Sequence, residues 1–455
     1  MQIFLDAIEH RTPAGIAAAI GRLIAAGTLA PGDRLPTVRE FAAALGTSPA
    51  TVSHAWQALG AVGLIASRGR SGTFVLDAAP KWLPARSHSM VGRHQNARID
   101  LSRGMPDPVL LPALGPALSR VSERAVTPSY QDLPVIPELL AVLSDSWPYP
   151  APSITVVDGA LDAISRSLDA VTRFGDRVIV ESPGFPPFFD LLDQLGLERV
   201  PVEIDQHGIV PASFEAALTL GPTAIILQPR AQNPTGASMT AKRAETLARL
   251  LQMHKRNADV VVIEDDHSGE ISISPDVSLG TWLPERVLHV RSYSKSHGPD
   301  LRIAALGGPP ALVDPIVARR MLGPGWTSRM LQKILYDLLT NSDSISQISE
   351  ARRIYFARQK ALTESLRRCG VDLPQADGIN AWLAVEDERD AIVQLAASGI
   401  RVAGGSPFFA IEGAGSFVRV TAGALPAEIE PIAEALAATT LQRTPGEYSL
   451  IERWA

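Results

Sequence analysis

Between residues 292 and 304 the chain reads SYSKSHGPDLRIA, and here residue types and spacing first suggest chemistry. Two hydroxyls, Ser292 and Ser294, precede Lys295, and Arg302 follows seven residues later. Hydroxyls and a guanidinium suit an anionic phosphate, and a lysine beside them supplies an amine that can form a Schiff base. A phosphate next to such an amine describes pyridoxal phosphate. A lysine at a strand end is ordinarily a solvated charge, so the reading rests on the combination and not on Lys295 alone.

The elements around this stretch must deliver it. VLHVRSYS alternates apolar and polar residues as a strand does, which carries Lys295 to the strand's end, and Gly298 and Pro299 then turn the chain. Upstream, SITVVDGALDAISRSLDAV reads as a strand, a glycine turn and a helix. The amides of Gly159, Ala160 and Leu161 would then face an anion from a helix N-terminus. DRVIVESPGFPPFFDLL gives a strand, a turn at Pro183 and Gly184, and an aromatic, Phe185. TAIILQPRAQNPTG, VVVIEDDH and RVLHVRSYSK are apolar strands separated by helical spacers such as AKRAETLARLLQMHKR. This predicts an α/β fold, a mostly parallel sheet with helices on both faces and ligands at the C-terminal strand ends. Asn233, Asp265 and Lys295 all fall at such ends. From about Ser328 the chain reads as a long helix reaching toward residue 366 and a smaller α+β region, so the small subdomain is expected mainly over 328–455.

These strings, in this order, resemble the aspartate-aminotransferase (type I) fold. SxSK followed by an arginine is similar to its cofactor-lysine segment, and Asn233-Pro234-Thr235-Gly236 to its NPTG loop. VVVIEDDH, Val260 to His267, resembles the strand whose aspartate pairs with the pyridine nitrogen, which implies that role for Asp265. A carboxylate there keeps the ring protonated and makes it an electron sink. The resemblance further implies that Phe185 stacks on the ring, with Phe189 as a substitute. It also implies that Arg419, in FVRVTAG, clamps the carboxylate of an amino-acid ligand with its planar fork. Tyr130 matches a tyrosine that reaches the partner subunit's cofactor phosphate in a homodimer; a buried structural tyrosine is the other reading. The chain departs from the family at His267, where a tyrosine usually donates to the cofactor's phenolic oxygen. Imidazole also donates but titrates near pH 6.5, so spectrum and effector response are expected to change at roughly pH 6 to 7. The departure bears on transamination more than on cofactor binding.

Before this body stands a different domain. Residues 1–98 carry ten Lys and Arg against five Asp and Glu, whereas the rest carry 32 against 43. A basic front on an acidic body suits contact with phosphates. PAGIAAAIGRLIAA, 13–26, places Ile16, Ile20, Leu23 and Ile24 at helical spacing after Pro13, and Gly27 stops it. Thr37 caps VREFAAALG, with Glu40 completing a capping box, and Gly46 ends it. Ser48 caps PATVSHAWQALGAVG, with Pro49 at its first position. Two short helices joined by a tight glycine turn form a helix-turn-helix. Leu64 to Ser67 and Thr73 to Leu76 then read as two strands of a wing around Arg68, Gly69, Arg70, Ser71 and Gly72. Residues 10–76 resemble the GntR-type winged helix, from PGDRLP to GTFV, although an arginine usually stands where this chain has Pro49. Thr47, Ser48, Thr51 and His54 can enter a major groove, while Arg39, Arg68 and Arg70 meet phosphates or the minor groove. Residues 77–98, rich in Pro, Ser and basic side chains, read as a linker, and 99–455 as the aminotransferase-like domain.

A 455-residue chain that is 46% hydrophobic has room for two cores. Its single cysteine, Cys369, excludes an intramolecular disulfide framework. No charged and then apolar leader opens it, and no run of about 18 apolar residues occurs, so a cytoplasmic protein without membrane partners is expected. No metal site is expected. The two resemblances in this order imply a MocR-subfamily transcriptional regulator, binding double-stranded DNA and holding pyridoxal 5'-phosphate on Lys295. It would sense an amine, an amino acid or the cofactor itself, with little or no turnover. A working aminotransferase that carries a winged helix is the alternative; a scaffold without cofactor is disfavoured by the presence of Lys295, Asp265, Asn233 and Arg302.

Overall fold

The computed structural model describes residues 1–8, 10–61, 64–67, 72–76, 84, 86, 97–121, 129, 132–253, 257–411, 413 and 415–440. They belong to two compact units, Met1–His88 and Ser89–Ala455.

In the first unit, helices α1 (Gln2–Ala7), α2 (Pro13–Ala25), α3 (Val38–Leu45) and α4 (Pro49–Ala61) accompany a three-stranded antiparallel sheet. Its strands β1 (Arg34–Leu35), β2 (Ile65–Ser67) and β3 (Thr73–Val75) lie in the order β1-β3-β2. Thr37 Oγ1 accepts from Glu40 N at 3.3 Å while the Glu40 carboxylate accepts from Thr37 N at 3.0 Å, so the capping box that starts α3 is complete. Gly46, at φ 66°, closes that helix in the left-handed conformation, and Ser48 Oγ accepts from Thr51 N at 3.1 Å to open α4. Ile16, Ile20, Phe41, Leu45, Val52 and Trp56 interlock between the helices. Strand β1 was not expected: two residues are too few for an alternation to register.

The second unit opens with strand β4 (Ile99–Asp100). Its main sheet comprises β5 (Ser153–Val157), β6 (Arg177–Ser182), β7 (Glu198–Asp205), β8 (Gly208–Ile209), β9 (Ala224–Leu227), β10 (Val261–Asp266), β11 (Val287–Ser292) and β12 (Ala304–Gly308). The spatial order is β5-β12-β11-β10-β9-β6-β7-β8. Strands β6, β7, β9, β10 and β11 pair in parallel. Strand β12 runs antiparallel between β11 and β5, and β8 antiparallel at the edge. Strands β9, β10 and β11 are buried along their whole length, as central parallel strands with both faces covered must be. Alternate residues supply two cores, Ile225, Val262 and Val287 one, Ile226, Ile263 and Leu288 the other, which is the strand period of two. Helices α5 (Ala160–Val171) and α6 (Pro186–Leu195) pack into the second core, and α7 (Ala241–Met253) into the first.

The single long helix expected after Ser328 is two, α8 (Arg329–Thr340) and α9 (Ser342–Arg368). Between them Asn341 is extended, and its side chain accepts from Asp343 N and Ser344 N, which ends one helix and caps the next. Strands β13 (Ala381–Ala384), β14 (Ile400–Arg401), β15 (Ala403–Gly404) and β16 (Phe417–Val420) follow. Of these, β13, β16 and β15 form an antiparallel sheet, and β14 pairs in parallel with β4. Leu101 joins Leu362, Leu383, Val418 and Val420 in one core. The first residues past 98 therefore belong to the small subdomain's core. Among the described residues no helix is long and apolar enough to cross a membrane.

Candidate functional site

Sheet register decides which residues of the second unit meet. Ser292 lies opposite Ala304, and Ala304 opposite Val157, so the turn carrying Lys295, the segment carrying Arg302 and the turn before α5 end at one edge. Neighbouring strands are about 4.8 Å apart, which puts Ser292 and Val157 about 10 Å from each other. At that edge Gly159 has φ 107°, and a Cβ there would stand 2.7 Å from Arg302 Nη2. Only glycine lets the guanidinium lie against the start of α5, where the amides of Ala160 and Leu161 lack intrahelical partners. Arg302 itself is left-handed, at φ 47°, and donates from Nη2 to Asp158 O at 3.3 Å. The Asp158 carboxylate is held by Arg320 Nη2 at 2.7 Å and Thr327 Oγ1 at 2.7 Å. It leaves the cationic face of this cradle to an anion. Ser292 Oγ accepts from Ser294 N at 3.3 Å, which shapes the turn into Lys295.

Lys295 is half-buried, and Nζ donates to Gly104 O at 2.6 Å. Burial, and then the nearby Arg419 charge, push its ammonium down to about 8, so a reactive neutral amine is within reach near neutral pH. Strand β10 ends in three consecutive acids, and their partners differ. Glu264 accepts from Ser278 Oγ at 2.6 Å and Leu279 N at 2.7 Å and meets His289 Nδ1 at 2.8 Å. Asp266 takes a bidentate pair from Arg230, at 2.8 and 2.7 Å, which holds its carboxyl well below the usual range in spite of burial. Among the described residues Asp265 accepts only from Gln228 Nε2, at 2.8 Å on Oδ2, and its buried Oδ1 has no partner. Burial pushes Asp265 up to about 7. A buried, unsatisfied carboxylate oxygen is costly alone and suits a cationic N–H, as a protonated pyridine nitrogen would supply.

Arg419, in the middle of β16, is buried; its guanidinium donates to Ser102 O and, at 3.3 Å, to Asn233 Oδ1, and its carbon lies 5.0 Å from the centre of the Phe408 ring. Its Nε is buried and unpartnered, and burial lowers it to about 10, so it remains a cation at neutral pH. No carboxylate pairs with it among the described residues. A desolvated guanidinium without an acid is complementary to a ligand carboxylate. Gly104, at φ 60°, allows this approach, since a Cβ there would lie 2.9 Å from Arg419 Nη1.

His267 differs from expectation. Its Nε2 bonds Ala231 O at 2.8 Å, so the proton of the neutral ring sits on Nε2 and Nδ1 is left as an acceptor. Burial, followed by the Lys295 charge, lowers His267 to about 4. The change anticipated at pH 6 to 7 therefore does not belong to this group: desolvation outweighs the nearby acids. Of the two stacking candidates, Phe189 is fully buried in a core, whereas Phe185 stays half-buried, edge-on to Phe188 at 5.2 Å. Tyr130 lies outside the described residues.

Side chains that sequence reasoning missed complete the site. Gln228 bridges Asp265 and Asn233 N, the latter at 2.8 Å from Oε1. Glu181, buried at the end of β6, accepts from Gln228 N at 3.1 Å and Gln232 Nε2 at 3.3 Å; burial pushes it up to about 8. Their only sequence signal is a polar residue closing an apolar strand, in VIVES and AIILQ.

In the first unit Arg39, Ser48 and His54 are exposed, and Thr47 and Thr51 half-buried. The Ser48 and Thr51 hydroxyls bond each other at 2.8 Å. Arg34 was overlooked: its guanidinium lies against Gly72, where a Cβ would come within 2.6 Å of Nε, and so adds a cation at the base of the wing. Arg68 and Arg70 lie outside the described residues.

Residues 98–436 match the family described as Aminotransferase class I and II, and residues 12–75 the one described as Bacterial regulatory proteins, gntR family. The vitamin B6 salvage pathway transcriptional repressor PtsJ of Salmonella typhimurium is 38% identical over 407 residues, covering 88% of this chain and 92% of its own. The probable rhizopine catabolism regulatory protein MocR of Rhizobium meliloti is 30% identical over 412 residues, with 82% and 79% covered. Among solved structures, the alpha-aminoadipate aminotransferase LysN of Thermus thermophilus superposes with a TM-score of 0.66 at 22% identity, over 75% of this chain and 91% of that one. That likeness concerns the fold.

Proposed function

Since the chain belongs to the MocR-type transcriptional regulators, a gntR-type winged helix joined to a class I and II aminotransferase domain, we propose that it regulates transcription by binding operator DNA and holds pyridoxal 5'-phosphate in its second unit. The observation that carries the cofactor reading is the unpartnered Oδ1 of Asp265, buried among residues with no cation bonded to it. Gly159, Ala160, Leu161, Ser292, Ser294 and Arg302 would hold the phosphate, Asp265 the ring nitrogen, Phe185 a ring face, and Asn233 the side of the phenolic oxygen. When bound, the cofactor supplies an aldehyde carbon for an amine and a ring that accepts electrons. Lys295 Nζ is the chain's own amine for that carbon, and Gly104 O keeps it in place until then. His267 holds its proton toward Ala231 O, so it does not donate at the phenolic oxygen as the family's tyrosine does. This supports a sensor over a catalyst.

The effector is an amine, an amino acid or pyridoxal phosphate. Arg419, without an acid partner, supports a carboxylate-bearing ligand; the vitamin B6 salvage repressor, as a relative, supports the cofactor itself. A homodimer in which Tyr130 reaches the partner's phosphate belongs to the same proposal, as do Arg39, Thr47, Ser48, Thr51, His54, Arg68 and Arg70 as the DNA-contacting set.

The test measures binding to a duplex from the region upstream of the chain's own gene by anisotropy, with and without pyridoxal phosphate and amino acids, beside a steady-state assay with amino donors. Sequence-selective binding that shifts with ligand and no sustained turnover is expected. Sustained turnover with no selective binding would establish the aminotransferase alternative instead.

A further inference from the structure

Next to β10, which carries Asp265 near its end, the two strands that follow in the sheet end in buried polar residues, Gln228 and Glu181, that the cofactor site alone does not require. Strand β9 lies between β6 and β10, with Val180 opposite Ile226 and Leu227 opposite Glu264. The residues that follow Leu227 and Glu264, Gln228 and Asp265, therefore lie side by side, and the Glu181 carboxylate, from the end of β6, accepts from Gln228 N at 3.1 Å. Gln228 is buried between Leu227 and Pro229, where an apolar side chain would continue the strand without the cost of desolvating an amide.

Both ends of that amide are used. Nε2 donates to Asp265 Oδ2 at 2.8 Å and leaves Oδ1 as the open oxygen. Oε1 accepts from Asn233 N at 2.8 Å, at the start of the NPTG loop. The loop is held further along by Gln232, whose Oε1 accepts from Thr235 N at 3.1 Å and from Thr235 Oγ1 at 2.7 Å. At its far end Gly236 O accepts from Asp377 N at 3.0 Å, in the segment that leads to β13 of the small subdomain. The Asp377 carboxylate in turn accepts from Ile273 N at 3.0 Å, Ser274 N at 3.1 Å and Gly378 N at 2.7 Å. A continuous run of hydrogen bonds and four loop residues thus joins Asp265 to the small subdomain, and one side chain, Gln228, carries its first two bonds.

We propose that Gln228 is a positioning residue that orients Asp265 for the ring nitrogen of pyridoxal phosphate and transmits occupancy of that oxygen to the Asn233–Gly236 loop and on to Asp377. The inference rests on the cofactor reading above. It assigns the chain a route from the ring to the subdomain that carries Arg419, through bonds and not through the phosphate or Lys295. When Oδ1 takes the ring's N–H, the carboxylate loses its freedom to rotate, Gln228 is fixed with it, and the Asn233 amide is held harder.

The experiment uses the full chain, stripped of cofactor, and pyridoxal phosphate as the probe. In wild type, adding it should slow hydrogen exchange at the Asn233 and Asp377 amides. Gln228→Met, close in shape but without either bond, should bind about 10- to 100-fold more weakly, the range for losing a hydrogen bond to a charged group. It should also abolish the slowing at Asn233. In an Asp265→Ala background the same change should cost less than about threefold, because Gln228 acts through Asp265. Equal losses in both backgrounds, or wild-type affinity in Gln228→Met, would overturn the inference while leaving the cofactor reading intact. Wild type that binds no pyridoxal phosphate sinks both. Should Gln228→Met not fold, wild-type exchange decides: unchanged protection at Asn233 and Asp377 on binding refutes the route.

Discussion

Replacing Glu181 by Gln should stabilise the cofactor-free protein above neutral pH and do almost nothing at pH 4. Burial, opposed by its bonds from Gln228 and Gln232 and aided by Asp265, raises this carboxyl from 4.5 to about 8. A raised carboxyl contributes stability that is complete below its unfolded value and is lost as pH rises toward its folded one, because folding must take up a proton that the unfolded chain has already released. Each tenfold in proton affinity is about 1.36 kcal/mol, so the loss between pH 4.5 and 8 is on the order of 3–5 kcal/mol, the lower figure allowing for relaxation around the pair with Asp265. Glutamine reproduces the protonated acid. Its carbonyl can keep both donors, Gln228 N and Gln232 Nε2, which now meet Oε2. Calorimetric melts of both proteins, stripped of cofactor and scanned from pH 4 to 9, should coincide at the acid end and diverge by several degrees at pH 8 to 9. Comparing the two at each pH cancels the front unit's own unfolding. Parallel curves across the range would mean that Glu181 is not protonated in the fold, and a variant less stable at pH 8 would mean that its charge is used.

Lys295→Ala should leave no cofactor that borohydride fixes to the chain, read by mass spectrometry; retention of a reducible adduct would move the attachment elsewhere. Arg419→Ala should lose the DNA-binding response to a carboxylate effector while keeping attached cofactor and basal affinity, and a normal response would identify an effector without a carboxylate. Arg39→Ala should weaken binding to specific and unrelated duplexes alike and reduce the salt slope by about 1, whereas His54→Ala should narrow the gap between them; anisotropy titrations at several salt concentrations separate the two. Because His267 is held near 4, His267→Phe should leave the pH profile of the bound cofactor's visible spectrum between pH 6 and 8 unchanged, and a shifted profile would return the titration to the imidazole.

Local chemistry carried much of this protein. Thr37 with Glu40 and Ser48 with Thr51 meet within a few residues, so their caps are legible in the string, and the apolar runs ending at Leu227, Asp266 and Ser292 announce buried parallel strands. Lys295 and Arg302 are near neighbours in the chain and were readable together. The sequence also carried the order of the motifs, and with it the family. What it could not carry is everything that depends on pairing across the sheet. Three consecutive acids, Glu264, Asp265 and Asp266, look alike in the string; only His289, Ser278 and Arg230, brought from other strands and loops, take up two of them and leave one oxygen of Asp265 open. Gln228 and Glu181 read as strand ends until strand pairing sets Gln228 beside Asp265 and brings the Glu181 carboxylate to Gln228 N. The break at Asn341 was hidden because helical spacing continues across it. His267 shows the limit most directly: imidazole's proton affinity is a property of the residue, but its shift to about 4 comes from burial and from a lysine 28 positions away. Desolvation and charge act through space, and the distances that set them exist only after the chain has folded.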